Sequence, residues 1–385
     1  MTVAYVTIKN AQQLGRHTEW SGTGYHIAQA LESRDVSLDY LGPLQNDLSM
    51  KVRRKLKRHY HKLSGKVYFK DTDPALLQKY AKQISTKLAE QTHDAVLSAT
   101  VNPIAYLDCK QPILFWADAT FQNTAEFYPK YSNLCKESLD NGHKMECLAL
   151  KKCRFAIYSS HWAANMAIDH YKADPEKVKI IPFGANLESN LSTLDVKALI
   201  ASRPSTTCKL IFIGVDWIRK GGDKALSIAQ ALNDAGLPTE LTLVGTQPPE
   251  GVLLPDFVKS IGYISKLTTS GRAKISQLIG ESHFLILPTL ADCSPIVICE
   301  ANAFGVPCLA TNIGGIPTII KSGVNGQMFD AKASVDDYCN YVTDLFANYT
   351  CYRQMCFASF NEYQTRLNWT VAGQAAKALV VEARG

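Results

Sequence analysis

The segment ADCSPIVICEANAFGVP, residues 291–307, carries two carboxylates in a setting that suits ligand binding. Asp292 and Glu300 lie eight positions apart, with a Ser-Pro pair and an apolar run between them. Ser294 as the cap and Pro295 as the first helical residue predict that a helix begins here. Carboxylates accept hydrogen bonds from hydroxyl groups, and the amides at a helix N-terminus attract phosphate. The spacing therefore favours a ligand that is both polyhydroxylated and anionic, with an ordinary loop residue and a solvated helix residue as the alternative.

A second segment, FIGVDWIRKGGDKAL, combines two cations with glycines at a helix start. Its apolar strand is predicted to end at Gly214, after which Arg219 and Lys220 follow. Gly221 then precedes the next helix. Cations beside glycine amides suit a pyrophosphate group. An exposed Arg-Lys pair before a turn is the alternative.

Two further loops have the same form. SGTGYHIAQAL contains Gly22 and Gly24 after the first strand, and ATNIGGIPTII contains Gly314 before a helix that opens near Pro317. Glycine lets the backbone approach a ligand at a helix start, although turn chemistry alone explains any single loop. Together the helix starts indicate one ligand site at the carboxyl ends of parallel strands.

Apolar strand-like runs alternate with helical stretches along the whole chain. This alternation predicts an α/β fold in which two Rossmann-like, doubly wound domains of parallel strands face an interdomain cleft. The segment PFGANLESNLSTLDVKALIASRPSTTCK is typical of a domain boundary. We therefore place the first domain at residues 1–190 and the second at residues 191–368.

The composition supports a two-domain globular protein. The 385 residues, of which 46% are hydrophobic, suffice for two cores. The start MTVAYVTIKN is too polar for a signal peptide, and no apolar run approaches the roughly 20 residues that span a bilayer, so we expect a cytoplasmic protein. The eleven cysteines include no CxxC pair, which favours buried free thiols over a disulfide framework or a zinc site.

With these motifs the chain resembles the retaining glycosyltransferases of the GT-B fold, specifically glycosyltransferase family 4, or group 1. The similarity covers nearly the whole chain and is strongest in its second half. The family's acidic residue, seven further residues and Glu are matched by Asp292 and Glu300, followed by FGVP and IGGIP. IGVDWIRKGG matches the family's strand, Gly and Lys-Gly, and IIPFGANLE is similar to the segment that closes the first domain. The resemblance also implies that a helix at 369–385 packs back on the first domain.

The resemblance implies roles for individual residues in the second domain. Glu300 would hold the nucleotide ribose, Lys220 and Arg219 would hold the diphosphate, and Asp292 would lie beside the transferred sugar. The further donor-binding residues would be Gly214, Gly221, Tyr263, Ser294, Ile296 and Gly314.

In the first domain the resemblance implies that Gly22 and Gly24 approach the donor phosphate or the acceptor. Asp118, in ILFWADATF, follows a strand where many relatives have His. It is a candidate catalytic residue, with a helix cap or a buried partner as the alternative.

The second domain departs from the family pattern at three places. Asp292 replaces the usual first Glu, and CSP replaces the usual GFG, so that Pro295 has no amide to donate to the sugar. Val215 stands where an Arg commonly follows the strand glycine, which makes Arg219 its substitute. These changes concern the identity of the donor sugar more than the class of reaction.

The implied reaction moves a hexose from a UDP- or GDP-sugar to an acceptor hydroxyl on a glycan, lipid or small molecule. Transfer on the front face retains the anomeric configuration and needs no nucleophile, metal or other cofactor. A DxD at Asp71 and Asp73 is the alternative metal site. Asp73-Pro74, like Asp174-Pro175, is more simply an N-cap followed by a first helical residue.

Residues 51–70 form a basic segment with nine Lys or Arg residues and no acid. Val52, Leu56, Tyr60 and Leu63 have the spacing of one helical face. Such a helix could dock peripherally on the anionic inner face of a membrane. Packing of the stripe on its own domain is the alternative. We expect no nucleic-acid partner, because no aromatic stacking motif accompanies the cations.

Two other classes of function fit the same sequence. Since a fold does not fix a function, a GT-B phosphorylase or a nucleotide-sugar epimerase would share these domains. The altered CSP loop and the basic segment are also compatible with a non-catalytic nucleotide-sugar-binding or membrane-associated protein.

Overall fold

The computed structural model of the chain describes residues 1–15, 19–187 and 191–385. These residues form two compact units. The first consists of Met1–Pro182 together with Trp369–Gly385, and the second is Phe183–Asn368. The boundary that we placed at residue 190 lies outside the described residues.

The second unit begins directly after Pro182. The amide of Ala185 donates a hydrogen bond to the carbonyl of Leu367 at 3.2 Å. Leu187 is buried in a hydrophobic cluster of the second unit. These contacts join the segment after the last strand of the first unit to the second core.

A parallel sheet forms the centre of the first unit. Its strands are β1 (Thr2–Val6), β2 (Ser37–Tyr40), β3 (Ala95–Ser98), β4 (Ile113–Ala117), β5 (Phe155–Tyr158) and β6 (Val178–Ile180). They lie in the order β2-β1-β3-β4-β5-β6, and all neighbours pair in parallel.

Helices connect these strands. They are α1 (Thr23–Glu32), α2 (Leu48–Leu63), α3 (Pro74–Leu88), α4 (Phe121–Phe127), α5 (Lys136–Lys152) and α6 (His161–Asp169). Short 3-10 turns cover Glu19–Gly22, Lys70–Thr72 and Pro129–Tyr131.

The second unit repeats the architecture. Its strands are β7 (Cys208–Ile213), β8 (Thr239–Val244), β9 (Val258–Gly262), β10 (Phe284–Leu287), β11 (Cys308–Thr311) and β12 (Gly326–Phe329). They lie in the order β12-β11-β10-β7-β8-β9, again all parallel.

The helices of the second unit precede, connect and follow these strands. They are α7 (Thr193–Ser202), α8 (Trp217–Lys220), α9 (Gly222–Asp234), α10 (Thr269–Gly280), α11 (Ile296–Asn302), α12 (Ile316–Ile319), α13 (Val335–Ala347) and α14 (Tyr349–Arg366). The prediction of an α/β fold with two Rossmann-like units is confirmed. The interdomain cleft stays a prediction.

Continuous apolar runs explain the central strands. Every residue of β4 and of β10 is buried, as expected for parallel strands covered on both faces. In the second sheet, Leu210 and Phe212 enter one hydrophobic cluster, whereas Ile211 enters another. This alternation with a period of two residues buries both faces of the sheet.

The last helix, α15 (Trp369–Arg384), belongs to the first unit. It packs against α1 so closely that a Cβ atom on Gly373 would lie 2.3 Å from the Ala30 carbonyl oxygen. Arg384 pairs with Asp94 at 2.9 Å. A glycine at this position therefore permits the close approach of two helix backbones.

The predicted helix starts have mixed outcomes. Asp73 caps α3 by accepting a hydrogen bond from the Ala75 amide, with Pro74 in the first turn, as predicted. Asp174 was wrongly assigned as a cap, because a turn follows it and its carboxylate accepts from the amide of Glu176 at 2.9 Å.

All eleven cysteines lie among the described residues, and all are free thiols. Eight of them are buried. Within the described ranges, no helix combines the length and the apolar character needed to cross a bilayer.

Candidate functional site

The candidate residues of the second unit lie at the carboxyl edge of its sheet. Gly214 follows β7, the segment 288–292 follows β10, and Gly314 follows β11. These three strands are neighbours in the order β11-β10-β7, so their loops lie side by side. In open α/β sheets this edge is where ligands bind.

Lys220 and Asp292 form a cation–carboxylate pair at this edge. The Lys220 ammonium bonds to the carboxylate of Asp292, and the two side chains are only 12% and 10% exposed. Lys220 ends α8, because Gly221 adopts a left-handed conformation with φ of 80°. A Cβ atom on Gly221 would lie 2.1 Å from the Pro288 carbonyl oxygen. Glycine at 221 thus lets the chain turn beside the loop that carries Asp292.

Arg219 links the loop after β7 to the loop after β10. Its Nη1 donates to the carbonyl of Ala291 at 2.8 Å. Its own carbonyl accepts from the amide of Leu290 at 2.7 Å and from the hydroxyl of Thr289 at 2.9 Å. Arg219 therefore holds the backbone beside Asp292, and its contact with a diphosphate stays a prediction.

Glu300 and Lys266 form a second pair. Glu300 lies on α11 and is completely buried, yet both of its carboxylate oxygens accept from the Lys266 ammonium at 2.6 Å. Lys266 follows β9 and retains 37% of its side-chain exposure. Its backbone carbonyl accepts from Arg272 Nη1 at 3.0 Å, which fixes this loop against α10.

Lys266 was not among the predicted residues. A buried carboxylate requires a partner, since an unpaired charge in the interior is costly. This requirement was the only signal in the sequence for a partner of Glu300. It did not indicate which of the many lysines would be that partner.

The start of α11 differs from the prediction. Ser294 does not cap the helix, and Pro295 is not its first residue. Pro295 is instead the cap residue, because its ψ of 96° is extended rather than helical. Ile296 is the first helical residue and is half-buried.

The other predicted donor-side residues differ in exposure and in backbone contacts. Tyr263 directly follows β9 and is 73% exposed. Gly314 has a φ of 56°, and the adjacent amide of Gly315 donates to the Asp292 carbonyl at 3.3 Å. The loop after β11 is thus joined to the loop after β10.

Gly22, Gly24 and Asp118 belong to the first unit. Gly22 has a φ of 100° and forms the start of α1, and the carbonyl of Gly24 accepts from the Tyr5 hydroxyl at 2.7 Å. Asp118 directly follows β4 and is half-buried. It is not a helix cap, because Thr120 caps α4.

A buried carboxyl group lies next to the turn that contains Asp118. Glu146 accepts from the amide of Phe121 at 3.0 Å and from the hydroxyl of Tyr158 at 3.1 Å. Burial raises the pKa of Glu146 to about 7. Sequence reasoning missed this residue because it resembles any polar position of an amphipathic helix.

The chemistry of the second-unit edge suits an anionic ligand with hydroxyl groups. Lys220 lies two residues before the start of α9, a helix of 13 residues whose N-terminal amides add positive potential. Two carboxylates capable of accepting hydrogen bonds lie on the neighbouring segments. No group of three or more His, Cys, Asp or Glu side chains suited to a metal ion occurs among the residues that the structure describes.

The known proteins that this chain matches are glycosyl transferases. Residues 207–348 match the family model described as glycosyl transferases group 1. D-inositol 3-phosphate glycosyltransferase of Nocardiopsis dassonvillei is 26% identical over 220 residues, which cover 54% of this chain and 51% of the relative. A relative from Escherichia coli, UDP-Gal:alpha-D-GlcNAc-diphosphoundecaprenol alpha-1,3-galactosyltransferase, is 23% identical over 46% of this chain and 47% of its own length. The chain thus spans about half the length of the curated relatives it matches.

Among solved structures, sucrose-phosphate synthase from Thermosynechococcus elongatus shares the fold. The TM-score is 0.69 at 14% identity, and the alignment covers 99% of this chain and 98% of that one. The chain therefore has the GT-B fold, and its residues 207–348 are similar to the group 1 glycosyl transferases.

Proposed function

We propose that this chain is a retaining glycosyltransferase that moves a hexose from a UDP- or GDP-sugar to an acceptor hydroxyl. One observation carries the proposal: two lysine–carboxylate pairs, Lys220–Asp292 and Lys266–Glu300, lie in a group 1 segment at the carboxyl edge of its sheet. The names of the relatives, which specify glycosyl transfer and in one case UDP-galactose, support a nucleotide-sugar donor.

The residues at the carboxyl edge of the second sheet have separate roles in this reaction. Glu300 accepts hydrogen bonds from the ribose hydroxyls once Lys266 moves aside. Lys220 and the first amides of α9 face the diphosphate, where negative charge grows as the sugar leaves. Fixed cations and dipoles stabilise that charge more in the transition state than in the ground state, which accelerates the reaction.

Asp292 lies beside the transferred sugar and accepts from its hydroxyls when Lys220 turns to the phosphates. Asp118 and the glycines at 22 and 24 serve the acceptor side. The acceptor hydroxyl attacks on the face from which the diphosphate departs, so the configuration is retained without a protein nucleophile. The reaction proceeds in the cytoplasm without a metal ion, and the acceptor is a glycan, a lipid or a small molecule.

The test is a panel of UDP-, GDP- and ADP-sugars incubated with the purified chain, with and without EDTA. We expect one donor to be consumed equally in both conditions. Lys220→Ala should lower kcat by about 10²- to 10³-fold, because it removes a cation that stabilises the leaving group. Glu300→Gln should lower kcat/KM by roughly 10- to 100-fold, because a hydrogen bond to a charged acceptor is weakened.

The matched control is Lys259→Ala, which breaks the exposed pair with Glu240 in the same unit. It should leave turnover unchanged, and circular dichroism should show that every variant is folded. Turnover that requires free phosphate would identify a phosphorylase, and conversion of the donor into an isomeric nucleotide sugar, with no nucleotide diphosphate released, would identify an epimerase. Tight nucleotide binding without any turnover would favour the non-catalytic binding protein.

A further inference from the structure

Helix α2 presents its apolar side to solvent and its polar side to the protein. Five large side chains on one face are 52–77% exposed: Leu48, Val52, Leu56, Tyr60 and Leu63. The opposite face carries the residues that are buried or half-buried: Met50, Arg54, Lys57 and His61. A surface helix normally has the reverse arrangement, with its apolar stripe toward the core.

Polar contacts fix the helix in this orientation. Lys57 bonds to the carboxylate of Glu137, and His61 Nε2 lies 3.4 Å from the same group. The ring of His61 stacks on Tyr68 with centroids 5.7 Å apart, and the Tyr68 hydroxyl donates to Asp73 at 2.6 Å. Turning the apolar stripe inward would break these contacts, so the stripe does not pack on its own domain.

Cations flank the exposed stripe. At about 100° per residue, Lys51, Lys55, Arg58 and Lys62 follow one edge of the stripe. Arg53 lies at the other edge, and all five are exposed. The helix contains no Asp or Glu. The outer surface of α2 therefore combines a predominantly apolar strip with positive charge at its borders.

We propose that α2 lies flat on an anionic lipid bilayer, with its apolar stripe at the boundary of the acyl chains and its cations at the lipid phosphates. A helix of this kind binds through apolar burial together with attraction to anionic headgroups. A second copy of the chain is disfavoured as the partner of this stripe, because two α2 helices facing each other would place like charges side by side. The docking needs no nucleotide sugar and is therefore independent of the transfer reaction.

The test measures co-sedimentation of the full chain with vesicles at low salt. One set contains phosphatidylcholine with 30% phosphatidylglycerol, and the other contains phosphatidylcholine alone. Two double variants separate the two contributions: Leu56→Gln with Leu63→Gln removes apolar contact, and Lys55→Gln with Lys62→Gln removes charge. Because these four side chains are exposed, the variants should fold, which thermal melting checks. Leu194→Gln, at an equally exposed leucine on α7, is the matched control.

We expect the wild-type chain to bind the anionic vesicles at least tenfold more tightly than the neutral ones, and less tightly as salt rises. Each double variant should bind at least tenfold more weakly, and the control should bind like the wild type. Equal binding to both kinds of vesicle, or an apolar double variant that binds like the wild type, would overturn the proposal. So would a dimer in light scattering without lipid that Leu56→Gln with Leu63→Gln dissociates, because the stripe would then be an interface between copies.

Discussion

Glu300 places both carboxylate oxygens on one partly exposed ammonium, and this pair must open before sugar hydroxyls can bind there. We expect Lys266→Met to lower the melting temperature of the free chain and to increase the stabilisation that UDP provides. If Glu300 binds the ribose as proposed, the ribose hydroxyls would replace the hydrogen bonds that Glu300 loses with Lys266 in the variant, whereas in the wild type they would have to displace the Lys266 ammonium. We expect the affinity of the variant for UDP to be about tenfold higher than that of the wild type, since hydrogen bonds to charged groups contribute about 1.5–3 kcal/mol.

Thermal shift against UDP concentration measures this effect. Lys259→Met provides the control, because that amine pairs with Glu240 at 2.7 Å on an exposed surface. A smaller UDP shift in Lys266→Met than in the wild type would show that the lysine contributes to nucleotide binding instead of competing with it.

Glu146 makes the first unit sensitive to pH. Burial raises its pKa from 4.5 to about 7, so the folded state retains a proton that the unfolded state releases. The stabilisation is complete below about pH 4.5 and is lost as the pH rises through 7. The full loss is about 3 kcal/mol, since each pKa unit corresponds to 1.36 kcal/mol.

In Glu146→Gln, the amide oxygen can still accept from the Phe121 amide, and the amide nitrogen can donate to the Tyr158 hydroxyl oxygen. The side chain cannot ionise. We expect its melting temperature to approach that of the wild type at pH 5 and to exceed it increasingly up to pH 8. Glu90→Gln, at an exposed position of the same unit, should show no such trend. A difference between Glu146→Gln and wild type that does not change with pH would contradict this account.

The sequence predicted those candidate residues whose positions follow from the ends of buried strands. Gly214, Asp292 and Gly314 follow buried apolar runs, and parallel strands bring those ends to one edge. The pairing of Lys220 with Asp292 and of Lys266 with Glu300 depends on loop conformations and on contacts between segments distant in sequence. No local pattern encodes such contacts, and the roles in catalysis stay predictions.

At the level of elements, the contact between α15 and α1 gives a test in which two principles oppose each other. In an exposed helix, Gly→Ala raises the unfolding free energy by about 1 kcal/mol. We expect Gly373→Ala to lower it by about 1–3 kcal/mol, because the new methyl group would lie 2.3 Å from the Ala30 carbonyl oxygen.

Chemical denaturation of the full chain measures the change in unfolding free energy. Gln374→Ala, at the adjacent exposed position, should be neutral or slightly stabilising. A stabilised Gly373→Ala variant would mean that α15 can move away from α1 without cost.

Two helices show what periodicity does and does not reveal. The stripe at Val52, Leu56, Tyr60 and Leu63 correctly indicated a helix. A stripe identifies residues that share a face, but the environment of that face depends on which other elements surround it. At α11, a φ near −70° suits Pro295 both in a helix and before one, so only the observed ψ places the helix start at Ile296.

For the whole molecule, the alternation of apolar runs and helical stretches predicted two parallel sheets because interior strands must be apolar on both faces. This pattern did not predict two of the edge strands. β2 has the sequence SLDY and β12 the sequence GQMF, and neither is fully buried. Each pairs with one neighbour only, so its side chains need not form an unbroken apolar run.

The position of α15 also has a consequence for biosynthesis. A ribosome completes residues 1–182 long before it reaches 369, and the entire second unit is translated in between. Until α15 emerges, the surface of α1 around Ala30 lacks its covering helix. The first unit to be synthesised is therefore the last to acquire its full set of elements, and chaperones that shield nascent chains would meet it uncovered throughout translation of the second unit.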